Sequence, residues 1–249
     1  MSGHSKWATI KHQKGAKDKA RGKLFAKLIR QVEVAAREGG GDPDSNPTLR
    51  TMFQKARDSS VPLDTIERAV KRGTGELEGV TYESITYEGY APHGVAVLVE
   101  VLTDNRNRTG SEIRSLFSRN GGNLAEPGAV AWQFERKGVI LADRAADEDE
   151  LMLAAVDAGA EDLADDGAYW RVTTPPSELP AVRQAIEEAG VGIESADLTM
   201  VPTSQVALDS VEFAKQVLRL IDVLDDHDDV QNVHANLDLP DDVLAGLEA

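Results

Sequence analysis

The sequence contains no cysteine, which removes disulfides, cysteine-ligated zinc and thiol nucleophiles together and is compatible with a reducing cytoplasm. Aromatic residues are scarce, at 5%, yet Leu, Ile and Val are plentiful enough for a globular chain rather than a disordered one. Long apolar runs are missing as well. Runs such as Val95–Val99 fall far short of the roughly 20 residues that a membrane helix needs, so no membrane association is expected. The N-terminus is basic but lacks the apolar centre of a signal peptide, and it lacks the Ser- and Arg-rich amphipathic pattern of a transit peptide. A cytoplasmic location is therefore expected.

Recognisable catalytic and metal-binding patterns are also lacking. No G-x-x-x-x-G-K-[ST] loop occurs, and GTGELEG (73–79) neither fits G-x-G-x-x-G nor follows a strand. The five histidines, His4, His12, His93, His227 and His234, include no helical pair for a metal. DDHDD (225–229) lacks the alternating ligands and glycine of a calcium loop and reads as the solvated end of a helix. No nucleophile-elbow sequence is present. The expectation is a non-enzymatic protein with no cofactor, no metal and no small-molecule substrate.

Positive charge is short almost everywhere. The formal net charge is −16, and residues 76–249 carry −24. Against this, residues 3–30 hold nine Lys and Arg and one acid, Asp18. A blockwise split of this kind points to a polyanionic partner for the basic end, with the acidic remainder favouring solubility. Each cation that neutralises a phosphate releases condensed counterions, giving affinity without sequence selectivity. The candidate phosphate contacts are Lys6, Lys11, Lys14, Lys17, Lys19, Arg21, Lys23, Lys27 and Arg30. The last three lie at i, i+4 and i+7, on one side of a helix. Trp7 either stacks on an unpaired base or folds back with Ile10 as an apolar staple. His12 is a further candidate for a phosphate or base contact.

At 249 residues the chain has room for two or three compact units. Residues 1–16 read as an arm with no helical period. From Asp18, Leu24, Phe25, Leu28, Ile29, Val32, Ala35 and Ala36 recur at helical spacing as far as Gly39. Asn46 and Pro47 suit the N-cap and first position of a second helix. A third runs from about Pro62 to Arg72, closed by Gly73. Arg68, Lys71 and Arg72 at its end either complement the helix terminus or widen the basic footprint.

Beyond GTGELEG the period becomes two. SITYEGY and GVAVLVEVL form a hairpin across APHG, with Val95, Val97, Val99 and Val101 on one face. A capping box, Thr109 to Glu112, opens a helix, and AVAWQFE reads as the next strand. In DNRNRTGSE, Arg106 and Arg108 stand beside that helix N-terminus, a ready anion site, unless Asp104 neutralises one of them. The following stretch has the order βαββαβ, the ferredoxin-like split unit, and a last helix and strand supply what the earlier ββαβ lacks. The expected fold is α+β: an N-terminal three-helix bundle (1–80), a discontinuous α/β domain (81–134 plus 206–249), and a ferredoxin-like domain (135–205) inserted into it.

The stretches SGHSKWATIKHQK, TIERAVKRGTGE and YEGYAPHGVAVLVEVLTDNRNRT together resemble the YebC/PmpR family, and the match runs from Ser2 to the C-terminal strand. Where many relatives have glycine, this chain has Ala91 and His93. The resemblance implies three domains with the third inserted into the second, and a DNA-binding transcriptional regulator. It equally implies, from other members, a ribosome-associated translation factor that binds rRNA and aids synthesis through proline-rich stretches. No helix here has the Asn, Gln and Arg make-up of a recognition helix, whereas a Lys-rich arm with one Trp suits irregular or single-stranded RNA.

Overall fold

The structure is a computed structural model that describes the backbone of residues 17–248 and the side chains of residues 22–247. Three helices come first: α1 (Lys17–Gly39), α2 (Pro47–Asp58) and α3 (Leu63–Gly73). They pack around Leu28, Val32, Leu49, Ala56, Ile66 and Ala69, all buried, with Phe25, Met52 and Phe53 at the margin. Asn46 fixes the turn between α1 and α2. Its side-chain oxygen accepts from the Leu49 amide at 3.0 Å, and its amide group donates to the carbonyls of Ala35 and Gly40, each at 2.8 Å. Gly73 ends α3 where it lies directly against the Glu33 carbonyl, so a Cβ there has no room.

The middle sheet contains β1 (Glu83–Tyr90), β2 (Ala96–Thr103), β3 (Asn123–Leu124) and β9 (Val230–Ala235), in the order β3-β1-β2-β9. All its pairings are antiparallel. Two helices, α4 (Arg106–Arg119) and α7 (Val211–Asp225), cover one face. Val95, Val97, Val99 and Val101 meet Ile113 and Phe117 of α4 and Val217, Leu220, Ile221 and Leu224 of α7 there. The valine period of two thus selects the core face. A short parallel pair, β8 (Val206–Ala207) with β10 (Leu237–Asp238), and a last helix, α8 (Asp241–Glu248), close the end of this core. The chain between Tyr90 and Ala96 turns with His93 in the left-handed region, at φ +65°. That position favours glycine, and the His93 ring is held by stacking on Phe213 at 3.9 Å and by Gln216 at 3.0 Å.

The second sheet follows β4 (Phe134–Asp143), α5 (Glu148–Asp157), β5 (Asp162–Asp165), β6 (Tyr169–Thr174), α6 (Leu179–Glu188) and β7 (Ile193–Pro202). Its order, β5-β6-β4-β7, with antiparallel pairing throughout, is the split βαβ arrangement. Its core gathers Ile140, Trp170, Val172, Leu151, Val182 and Ile186. The two sheets share an apolar seam in which Ala96 and Leu98, on the outer face of β2, meet Val130, Phe134 and Met200. Strand β2 is therefore buried on both faces.

Two local expectations are corrected. AVAWQFE is not the third strand of the middle sheet. Asn123–Leu124 takes that place, and Ala131–Gln133 is a 3-10 turn leading into β4. The reason is Glu88, whose buried carboxylate accepts from the amides of Gly128, Val130 and Ala131 at 2.6, 2.7 and 2.8 Å. These bonds curl the segment instead of leaving it extended. The second correction concerns α4, which begins at Arg106 with Asn105 as N-cap, its side chain accepting from the Arg108 amide. Thr109 is inside the helix, and its hydroxyl is used elsewhere.

We infer that residues 135–205 form an inserted domain, because the chain enters and leaves them side by side: Phe134 pairs with Pro202, and the Thr203 amide donates to the Gln133 carbonyl at 2.8 Å. Deleting residues 136–204 and joining Glu135 to Gln205 with a short flexible linker should leave one cooperative thermal transition for the middle core. Its midpoint should fall, because Ala96 and Leu98 lose Met200. A broad, non-cooperative melt would count against the insertion.

Candidate nucleic-acid interface

Lys6, Trp7, Lys11, His12 and Lys14 lie outside the described residues. Lys17, Lys19 and Arg21 belong to the first turns of α1, and their side chains are likewise outside the description. Among the cations that are described, α1 does align Lys23, Lys27 and Arg30 on one side, but that side is already occupied. The Lys23 ammonium donates to the Asp226 carbonyl at 2.8 Å and its carboxylate at 2.6 Å. Lys27 does the same with Asp225, at 2.8 and 3.2 Å. The Arg30 guanidinium takes the Asp228 carbonyl at 2.7 Å and the Asp229 carboxylate at 3.1 Å, and lies 5.3 Å from the centre of the Tyr82 ring.

DDHDD is therefore only in part the solvated helix end that its composition suggested: Asp226 and Asp228 are exposed, but the segment is held by α1. The free carbonyls at the C-terminus of α7 and the carboxylates just beyond it are satisfied by three cations of another helix. A cleft of about 620 Å³ opens beside the contact, lined by Lys23, Arg30 and Tyr82 on one side and Arg108, Glu112 and Asp226 on the other.

Asp229 is the centre of this junction. It is 5% exposed, and one oxygen receives the Thr109 hydroxyl at 2.7 Å, Arg108 at 2.8 Å and the Thr103 hydroxyl at 3.2 Å. The other oxygen faces Arg30. Burial works to raise the Asp229 carboxyl, but the Thr109 and Arg108 hydrogen bonds and the charges of Arg108 and Arg30 outweigh it and hold the group below its ordinary value. Arg108 also pairs with Asp104 at 3.0 Å, so Asp104 does neutralise part of this pair of arginines. Arg106 stays 67% exposed and reaches Glu83 at 3.0 Å. Both arginines sit within the first turn of α4 rather than beside it.

At the end of α3 the three cations differ. Arg72 pairs at 2.8 Å with the buried Glu33, which Arg37 also approaches. Arg68 and Lys71 are exposed, with no ion-pair partner among the described residues. Two further ion pairs join the bundle to the second sheet, Lys55 with Asp197 at 2.8 Å and Arg183 with Asp58 at 3.3 Å. The reading from sequence missed Asp225, Asp226 and Asp229 as partners. The available signal was the sign of DDHDD, opposite to a helix that places three cations on one side.

A model of the TACO1/YebC protein N-terminal domain matches residues 5–76, and a model of the TACO1/YebC second and third domain matches residues 82–237. The chain belongs to the TACO1/YebC family. A protein of Rubrobacter xylanophilus named "Probable transcriptional regulatory protein" is 60% identical over 98% of each chain. One of the same name from Halothermothrix orenii is 54% identical over 98% of each. The crystal structure of a conserved hypothetical protein from Aquifex aeolicus superposes with a TM-score of 0.82 at 47% identity, covering 90% of this chain and 93% of that one. No helix among the described residues is long and apolar enough to cross a membrane.

Replacing Asp229 by Asn leaves the shape but removes the charge that Arg108 and Arg30 share, and should destabilise the protein by about 3 kcal/mol. Because the native carboxyl titrates below its unfolded value, the contribution is complete above the ordinary carboxylate range of about 4 and is lost as pH falls through the lower native value. Thermal melts from pH 7 to pH 3 should therefore show the wild type losing its advantage over the Asn variant only in the acid limb. An unchanged difference at pH 3 would remove Asp229 from the account.

Proposed function

We propose that this protein is a non-enzymatic, cytoplasmic nucleic-acid-binding regulator of gene expression, of the kind that the names of its relatives describe, with DNA as its target and transcription as the process it regulates. The observation that carries the reading is the concentration of cations in residues 3–30 of a chain whose net charge is −16. Lys6, Lys11, Lys14, Lys17, Lys19 and Arg21 supply phosphate contacts that continue onto α1, and the exposed Arg68 and Lys71 extend them. Trp7 and His12 are the candidates for base contacts. Arg106 and Arg108 offer a second phosphate contact in the first turn of α4.

A second reading is favoured by one feature of the structure. The cationic side of α1 faces the end of α7, so α1 is not presented as a bare rod to a major groove. A Lys-rich arm ahead of it suits folded or single-stranded RNA, as in a ribosome-associated translation factor that contacts rRNA. Crosslinking followed by sequencing of the bound nucleic acid separates the two: promoter DNA supports the first and ribosomal RNA the second.

If about four to six cations engage single-stranded or folded RNA, the slope of log affinity against log salt should lie near −3 to −4. A slope near zero would sink the role of the basic segment. Trp7→Ala should weaken binding by about 1 to 3 kcal/mol with an unchanged melt if the ring stacks on a base. Loss of about 3 kcal/mol of stability with unchanged binding would mark it instead as an apolar staple.

A further inference from the structure

We propose that the acidic segment at the end of α7 is a built-in phosphate surrogate, and that nucleic acid engages α1 by displacing Asp225 and Asp226 from Lys27 and Lys23. The inference rests on the nucleic-acid reading and adds the regulation of that site. Each lysine holds one carbonyl and one carboxylate oxygen of a single aspartate at 2.6 to 3.2 Å. Each lysine thus meets one charged and one neutral hard oxygen, a pair of acceptors like those that a phosphodiester presents to an ammonium. From Lys23 to Arg30 the helix rises about 10 Å, close to three nucleotide steps at about 3.4 Å per step measured along a duplex axis. The contact therefore has the size and the chemistry of a short backbone segment.

Three observations make the contact one that can open. The bundle core draws on residues 25–70 alone, and neither of the other large cores includes a bundle residue. Among the described residues five ion pairs join the bundle to the rest, Lys23, Lys27 and Arg30 to the end of α7, Lys55 to Asp197 and Arg183 to Asp58, and salt and competing anions screen such contacts. Asp226 is 74% exposed at its side chain, so an incoming phosphate can reach Lys23 from the cleft before the aspartate leaves. In the connection from α3 to β1, residues 74–82, every residue except Tyr82 is exposed, which gives the bundle a tether on which to swing. Asp229 is excluded from the displaced set, because Thr103, Thr109 and Arg108 hold it from its own side of the junction.

The experiment compares the full-length wild type with Asp225→Asn/Asp226→Asn, and with a control of equal charge change on α5, Glu148→Gln/Asp149→Asn. Each is titrated with a 20-nucleotide single-stranded RNA and with a 20-base-pair DNA duplex. The α7 variant should bind about five-fold or more tightly than both other proteins, and the probe showing the gain identifies the source of the phosphates. Equal tightening in the control would reduce the effect to net charge and overturn the proposal, as would unchanged or weaker binding. If no protein binds either probe at low salt, the nucleic-acid reading itself fails, an outcome distinct from binding without a gain. A second measurement holds even if the α7 variant does not fold. The chain has no cysteine, so Thr48→Cys and Ser118→Cys in the otherwise native protein accept a dye pair on α2 and α4. Energy transfer should fall when the RNA or DNA that binds is added, and constant transfer at saturation would show a fixed strut.

Discussion

The carboxylate of Asp229 is the point at which the parts of the molecule converge. It stands just after α7, receives hydrogen bonds from the end of β2 and the start of α4, and faces Arg30 of the bundle. A buried carboxylate is tolerated only when its lone pairs are filled and its charge is matched. Here the matching groups come from three separate stretches of chain, β2, α4 and α1. The requirement to satisfy one charge therefore ties β2, α4 and the end of α7 together and gives Arg30 of α1 a seat against them.

Two kinds of junction coexist around that point. The α/β units meet through an apolar seam, Ala96 and Leu98 against Phe134 and Met200, reinforced by the Glu100, Asn232 and His234 cluster on the same side. Burial works to raise the Glu100 carboxyl, and its hydrogen bond to His234 leads the interactions that lower it overall. The bundle is attached by charge. Apolar contact is indifferent to salt and to competing polyanions, whereas exposed ion pairs are weak and easily exchanged. The molecule thus joins its two α/β units through apolar contact and its basic head to them through ion pairs.

Much of this was legible in the sequence where a single residue type has a single mechanical use. Asn46 before Pro47 is a helix start because only a short polar side chain can meet the Leu49 amide. The alternate valines of β2 name their core face because a strand has two sides. The return of a late helix and strand to the middle sheet was legible as an unfinished ββαβ that needs a distant helix and strand. What escaped was decided by partners far away in the chain. Thr109 looked like a cap because it precedes Glu112 by three residues, yet Asn105 takes that role and leaves Thr109 to serve Asp229, 120 residues on. AVAWQFE alternates like a strand, and nothing local reveals that Glu88 draws it into a turn. DDHDD looked like solvent-facing surface because the cations that meet it lie about 200 residues earlier, and sign complementarity across such a distance has no periodic signature.

The position of β2 has a consequence for how the chain is made. Its partner on one edge, β1, is nearby in sequence, whereas the partner on the other edge, β9, begins at Val230. During synthesis the bundle and the second sheet have all their residues available while the middle sheet still lacks β9. Until that strand arrives, β2 presents an open row of amides and carbonyls on a valine-rich edge, which is the kind of edge that pairs with the wrong chain. Strand β9 therefore closes the edge that the rest of the sheet leaves open.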